Sequence, residues 1–192
     1  MILLLIIIIL ILIIYLNKNK FSDDTVEEYY NSNRYKVRKG TKVVQLEKAK
    51  KLDNLKNKLQ KLVNYCKDSN LPTKVDADRM YSRFKNIQFN ETPSNDSSAA
   101  YVVNKDEELR ICLNGNENDT MFVLLHELAH IMSKSYGHNT EFKNNMDFLV
   151  KQAVKLQIYT PVDYTKSPIN YCGVKISTTP CHNNQCLIGT HV

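Results

Sequence analysis

Within Val123-Leu124-Leu125-His126-Glu127-Leu128-Ala129-His130-Ile131-Met132, three titratable side chains interrupt an otherwise apolar run. No other stretch constrains the fold so tightly. The run reads as a helix, and residues four apart share a helical face. His126 and His130 therefore stack on one side, with Glu127 turned away from them. The surrounding leucines require this helix to be buried. Two imidazoles and a carboxylate in a buried helix are costly without a partner. The spacing H-E-x-x-H suits a metal ion, with two ring nitrogens as ligands and Glu127 placed to take a proton from a water that the ion has acidified. So short a pattern also arises by accident on exposed helices, and the apolar flanks argue against that origin here.

A catalytic zinc needs a third protein ligand and one open position. His138 comes eight residues after His130, past Tyr136-Gly137. A glycine there can end the helix and turn the chain back. Asn139-Thr140-Glu141-Phe142 then reads as the cap and first turn of another helix. His138 is the first choice for third ligand and Glu141 the second. The metzincin spacing would use position 136, which is Tyr136. Asn118 or Asp119 is expected to cap the H-E-x-x-H helix. Tyr136, Tyr164 and Tyr171 are candidates to stabilise a tetrahedral oxyanion.

The net charge of +6 is unevenly spread: residues 17–67 carry 14 Lys/Arg against 6 Asp/Glu, and residues 68–192 carry 12 against 14. The basic excess thus lies ahead of the candidate catalytic part. Beside an apolar segment it reads as a topology signal or an anionic-lipid contact, and no specific nucleic-acid site is expected. Five cysteines at irregular spacing do not form a secreted disulfide framework. Cys172, Cys181, His182 and Cys186 gather near the end. A second zinc site, free thiols or a single bridge all remain open for them.

Residues 1–16 are apolar without a break. As a helix they would span about 24 Å. A basic start and a cleavage site of small residues are both missing, so an uncleaved anchor is expected over a signal peptide. Lys18 and Lys20 flank the C-terminal end, which places the following domain on the cytosolic or virion-interior side. Residues 17–40 read as a polar linker with a short helix near Thr25–Tyr30. Residues 42–67 repeat Leu52, Leu55, Leu59, Leu62 and Cys66 at helical spacing, as a covering helix or a short coiled-coil seam. Leu71-Pro72 ends it. A short helix over Asp76–Lys85, a strand over Ile87–Glu91 and a hairpin of Ala99–Asn104 with Glu108–Leu113 follow. Phe142, Met146, Leu149, Val150, Ala153 and Val154 give a further amphipathic helix. A strand over Tyr171–Ile176 comes next, then a polar tail. The expected organisation is an anchor at 1–16, a linker at 17–40, one domain at 41–176 and a tail at 177–192.

With His-Glu-Leu-Ala-His at 126–130, Gly137-His138 and Phe142 in place, the chain resembles compact zincin metallopeptidases of the SprT and WLM kind. Residues 140–176, with Tyr-Thr-Pro-Val-Asp-Tyr and Asn-Tyr-Cys-Gly, are similar to uncharacterised metallopeptidase-like proteins of large DNA viruses. The resemblance covers residues 85–176. It implies an α+β zincin-like domain with a small sheet packed on the H-E-x-x-H helix. It also implies zinc on His126, His130 and His138, with Glu127 as base. SprT proteins often have glycine directly after the last histidine, where this chain has Asn139, and WLM proteins have a tighter gap. Members of both families cleave proteins crosslinked to DNA. The anchor and the mildly acidic catalytic region argue against that substrate here.

The expected function is therefore a membrane-anchored zinc metallopeptidase, more an endopeptidase than an exopeptidase, acting on protein or peptide. Two alternatives stand beside it: a zinc-stabilised anchored scaffold, with Cys172 or His182 as fourth ligand, and a hydrolase of non-peptide amides.

Overall fold

A computed structural model describes residues 24–68 and 74–180. The anchor at 1–16, the Leu71-Pro72 stop, Cys181, His182 and Cys186 lie outside the described residues. Among the described residues no helix is long and apolar enough to cross a membrane.

The segment expected as a linker with a short helix is instead a β-hairpin, β1 (Thr25–Tyr30) and β2 (Asn33–Arg38), paired antiparallel. The physical reason is period-two alternation around a two-residue turn. Asn31 and Ser32 both have positive φ (47° and 63°), the conformation of the tight hairpin turn that matches strand twist. Tyr35 and Val37 on β2 are fully buried, so the hairpin belongs to the main core.

The α1 helix (Lys42–Asp68) lays Leu52, Leu55, Leu59, Leu62 and Cys66 into that core, so it is a covering helix. Asp53 interrupts the stripe and is itself buried. Burial alone would raise its pKa, but Tyr35 Oη (2.7 Å) and the side-chain amides of Asn31, Asn33 and Asn57 (3.0–3.1 Å) donate to it and lower it on balance. The acid thereby ties the hairpin turn to the helix.

After α2 (Lys74–Phe84), strands β3 (Gln88–Glu91), β4 (Ala100–Val103) and β5 (Glu108–Ile111) form a sheet in the order β3-β5-β4. β3 runs parallel to β5 and β4 antiparallel, with Val102 opposite Leu109. The hairpin docks beside β3 through side chains. Asn90 Oδ1 accepts from Lys36 N and Glu91 Oε2 from Arg38 N, both at 2.6 Å. Glu91 is fully buried, and Lys48 Nζ at 2.9 Å and Arg38 Nε at 3.6 Å offset its charge.

Helices α3 (Glu117–Met132) and α4 (Thr140–Lys155) pack together, with α3 also against α2 and β4. The strand expected over Tyr171–Ile176 is a hairpin of β6 (Ile169–Tyr171) and β7 (Val174–Ile176). Its turn is Cys172-Gly173, both at positive φ (52° and 86°). A Cys112–Cys172 disulfide fastens that turn to the residue after β5, a sequence separation of 60. Of the readings open for Cys172 the structure has the single bridge, while Cys66 is a buried free thiol. The result is a mixed α+β domain.

The bridge closes a long loop, so its loss is expected to cost about 2–4 kcal/mol of unfolding free energy. Urea melts of oxidised protein against Cys112→Ala/Cys172→Ala measure this. Identical midpoints would contradict the expectation.

Candidate metal centre

Helix α3 starts earlier than its sequence signals suggest. The cap is Asn116, whose Oδ1 accepts from Asp119 N at 2.9 Å, and not Asn118 or Asp119. Those two residues are engaged otherwise. Asn118 exchanges hydrogen bonds of 2.9 Å with the backbone of Thr160, and Asp119 accepts from Tyr164 Oη at 2.7 Å. From this fixed start the helix buries Leu124, Leu125, Leu128, Ala129 and Ile131 completely. His126 and His130 then share its partly open face, and Glu127 is 7% exposed beside them.

The C-terminal end of α3 is held by cations, which suits the negative end of a helix dipole. Arg83 Nη1 donates to Ile131 O (2.7 Å) and Ser133 O (2.8 Å), and Arg79 Nη1 to Met132 O (2.9 Å). Lys105, itself buried, donates to the carbonyls of Ser133 (2.8 Å), Lys134 (3.2 Å) and Ser135 (2.5 Å). Its backbone has φ 65° in the β4–β5 turn. Sequence reading saw only a polar turn there, because the partners of Lys105 lie about thirty residues further on.

The loop that follows is folded by Glu141. Its carboxylate accepts from Lys134 N (2.6 Å), Ser135 N (3.0 Å) and Ser135 Oγ, with Arg79 3.7 Å away. The Ser135 and Lys134 hydrogen bonds hold its pKa down at about 2. Glu141 is thus spent on the loop, and the structure does not bring it into the imidazole group. Gly137 turns at φ 79°, and Asn139 caps α4 by accepting from Phe142 N at 3.1 Å.

This path returns His138 over α3. Its Nε2 lies 2.9 Å from His126 Nε2 and 3.2 Å from His130 Nε2. Neighbouring corners of a tetrahedral zinc site with bonds of about 2.0–2.1 Å are separated by roughly 3.3 Å. Both separations from His138 are close to that value, and with all three ligand nitrogens within 4.8 Å of one another His126, His130 and His138 group as a potential metal site. The Phe142 ring backs all three imidazoles, with centroids 4.3–4.8 Å away.

Burial, followed by the neighbouring imidazoles, pushes His126 down to about 4. His130 falls to about 4 through burial, His138 and Lys105. Both rings are therefore neutral at physiological pH, the form that binds metal. Burial raises Glu127 to about 7, the range useful to a base that must also return a proton.

The three tyrosines differ in placement. Tyr136 is 79% exposed, with Lys105 Nζ 4.3 Å from its ring centre. Tyr164 and Tyr171 are buried, with hydroxyls donating to Asp119 and to the Cys112 carbonyl. Asp119 precedes His126 by two helical turns, about 10 Å. The structure therefore does not bring Tyr164 to the imidazoles. Cys172 is in the disulfide and not among these ligands. His126, Glu127 and His138 open onto a cleft whose far wall is β7, a contribution that the sequence did not signal.

No family model matches the chain. No solved structure matches it either. It is similar to uncharacterised proteins of large DNA viruses. One, from Acanthamoeba polyphaga mimivirus, is 29% identical over 131 residues, 65% of this chain and 62% of the relative. Another, from Invertebrate iridescent virus 3, is 30% identical over 94 residues, 45% of this chain and 57% of the relative. The chain spans about three fifths of the length of these relatives.

The shifts make a signed pH prediction for the metal-free protein. The unfolded chain protonates His126 and His130 near 6.5 and the folded chain near 4, so stability falls as pH drops through that window. Glu127 acts oppositely. The folded chain takes its proton near 7 and the unfolded chain near 4.5, so acidification relieves a buried charge. Glu127→Gln should therefore be stabilised by up to about 3 kcal/mol at pH 8, an advantage that vanishes by pH 4.5. Thermal melts in chelator test this. A constant difference across pH would contradict it.

Proposed function

We propose that this chain is a membrane-anchored, zinc-dependent metallopeptidase, more an endopeptidase than an exopeptidase. The observation that carries the reading is the convergence of three imidazoles beside a buried carboxylate on an open cleft. His126, His130 and His138 would hold the ion. Bound there, zinc would supply Lewis acidity, polarising a carbonyl and acidifying a water.

The other parts of the reaction fall to the chain's own residues. Glu127 takes a proton from the attacking water and passes it to the leaving amine. Burial raises its pKa, which helps the carboxyl hold that proton before passing it on. Phe142 fixes the three rings from behind, which limits the reorganisation needed as charge develops. β4 is an outer strand of its sheet and borders the cleft at Ala100, with Ala99 just before it. Its outer edge suits an extended peptide, because strand addition satisfies backbone groups without regard to side chains.

A scaffold with a closed zinc site would need a fourth protein ligand. Of the two candidates for that role, Cys172 is bonded to Cys112. Hydrolysis of an amide outside a polypeptide would not use the strand edge. The anchor rests on the apolar run at 1–16 and the basic stretch that follows it. Lys18 and Lys20 favour the cytosolic or virion-interior side. The bridge, by contrast, favours an oxidising compartment over the cytosol.

Glu127→Gln is expected to keep stoichiometric zinc and to lose peptide hydrolysis by about 10²–10⁴-fold. His138→Ala is expected to lose zinc itself. Metal analysis alongside proteome-wide cleavage profiling reads both. Full proteolysis by the Glu127→Gln protein would refute the mechanism.

A further inference from the structure

Helix α1 begins with three apolar residues left exposed. Val43 is 68% exposed, Val44 42% and Leu46 43%. Val44 and Leu46 flank Val43 by about 100° and about 60° round the helix, so the three form one arc at its start. Exposed apolar side chains scattered singly are ordinary, but these stand together as a patch. Lys50, two turns on, continues the face of Val43, and Lys39 stands just ahead of the helix. Both lysines are exposed, and neither pairs with a carboxylate among the described residues. The Lys42 side chain is 76% exposed while bound to Glu28. Glu47 is the acid on this face.

The path of the chain brings this patch towards the end of the apolar run at 1–16. Lys39 N donates to Asp24 O at 3.0 Å, and Asp24 Oδ1 accepts from Ser94 N at 2.9 Å. The point where the domain takes up the chain is thereby fixed beside the start of α1. From Leu16 to Asp24 an extended chain reaches no more than about 29 Å. The patch is therefore held near whatever surface the run occupies. Residues 17–67 carry 14 Lys/Arg against 6 Asp/Glu, with Lys18 and Lys20 close behind the run, so a negatively charged surface complements this part of the chain.

Resting on the reading of residues 1–16 as a membrane anchor, we propose that Val43, Val44 and Leu46 form a second membrane contact, which docks the start of α1 into the interface of an anionic bilayer. The three apolar side chains leave water for the acyl boundary. The lysine stems lie along that apolar surface while their ammonium groups stay among the anionic headgroups. A weak patch suffices, because the anchor keeps it at high effective concentration beside the bilayer. A nucleic acid would use the lysines but leave the apolar side chains in water. A second copy of this chain would bring one basic face against another. Held at two points, the domain has one orientation on the membrane, which keeps its cleft at one height.

The full chain contains no tryptophan, so one introduced indole is a single emitter. Val43→Trp, with Leu46→Trp as a second reporter, puts it on the exposed patch without disturbing the core. Each protein is reconstituted in vesicles of equal parts phosphatidylcholine and phosphatidylserine, with and without brominated acyl chains, and in phosphatidylcholine alone. Tyr136→Trp, on the 79% exposed position of the loop beside the metal centre, controls for the affinity of the indole itself. Both α1 reporters should blue-shift and be quenched by bromine in the anionic vesicles, and the Tyr136→Trp protein should not. Lys39→Gln with Lys50→Gln should lower the docked-to-undocked ratio about 25-fold, about fivefold for each lysine. Co-flotation with the vesicles reads the anchor separately. Co-flotation without bromine quenching of either α1 reporter overturns the docking face and leaves the anchor standing. Equal quenching of the Tyr136→Trp protein overturns it too, since the domain would then have no preferred face. So does a blue shift without quenching that grows with protein density, which assigns the patch to a second copy. A reporter that responds to duplex oligonucleotide and not to anionic vesicles overturns it in favour of nucleic acid. Failure to co-float with either kind of vesicle overturns the anchor, and the docking face with it.

Discussion

Three cations hold the carbonyls at the C-terminal end of α3, and the site depends on that grip. Arg79, Arg83 and Lys105 arrive from α2 and from the β4–β5 turn and take the oxygens of Ile131 through Ser135. A helix end left bare would fray, and a frayed end could not direct the chain back over its own face. Glu141 completes the arrangement from the other side by binding the amides of Lys134 and Ser135. His138 meets its two partners because the loop carrying it is fixed at both ends. The charges have a second effect: Lys105 adds to the burial that keeps His130 neutral.

The same logic appears elsewhere in the fold, where buried acids join elements that backbone pairing does not. Glu91 and Asn90 bind the backbone amides of β2, and Asp53 binds the turn between β1 and β2. Each acid is matched by cations or by several donors, which is what a buried carboxylate requires. The hairpin is thereby fastened to α1 and β3, and the core under α3 is closed on that side. The disulfide does a comparable task for β6–β7, placing Ile176 across the cleft from α3.

How much of this was legible in the sequence follows from the range of the interactions. The helices α1, α3 and α4 were readable because their apolar stripes are local and periodic, and the β4–β5 hairpin because its turn is polar and short. His138 was readable because Gly137 and Asn139 are local turn and cap signals. The first hairpin was missed because Asn31-Ser32 is a weaker turn signature than Asn-Gly and its strands carry many charges. The cap of α3 was misplaced by two or three residues because Asn116, Asn118 and Asp119 are all good capping types. Only contacts with Thr160 and Tyr164 separate their roles. Lys105, the carbonyl clamp and the β7 wall were invisible for the same reason. Each is a contact between segments far apart in the chain, and spacing does not encode such contacts.

The central claim is that His126, His130 and His138 share one zinc ion with a vertex left for solvent. X-ray absorption at the zinc edge, on the full chain loaded with one equivalent, addresses it most directly. The account predicts three imidazole nitrogens and one oxygen at about 2.0–2.1 Å. A sulfur at about 2.3 Å, or fewer than three imidazoles, would contradict it.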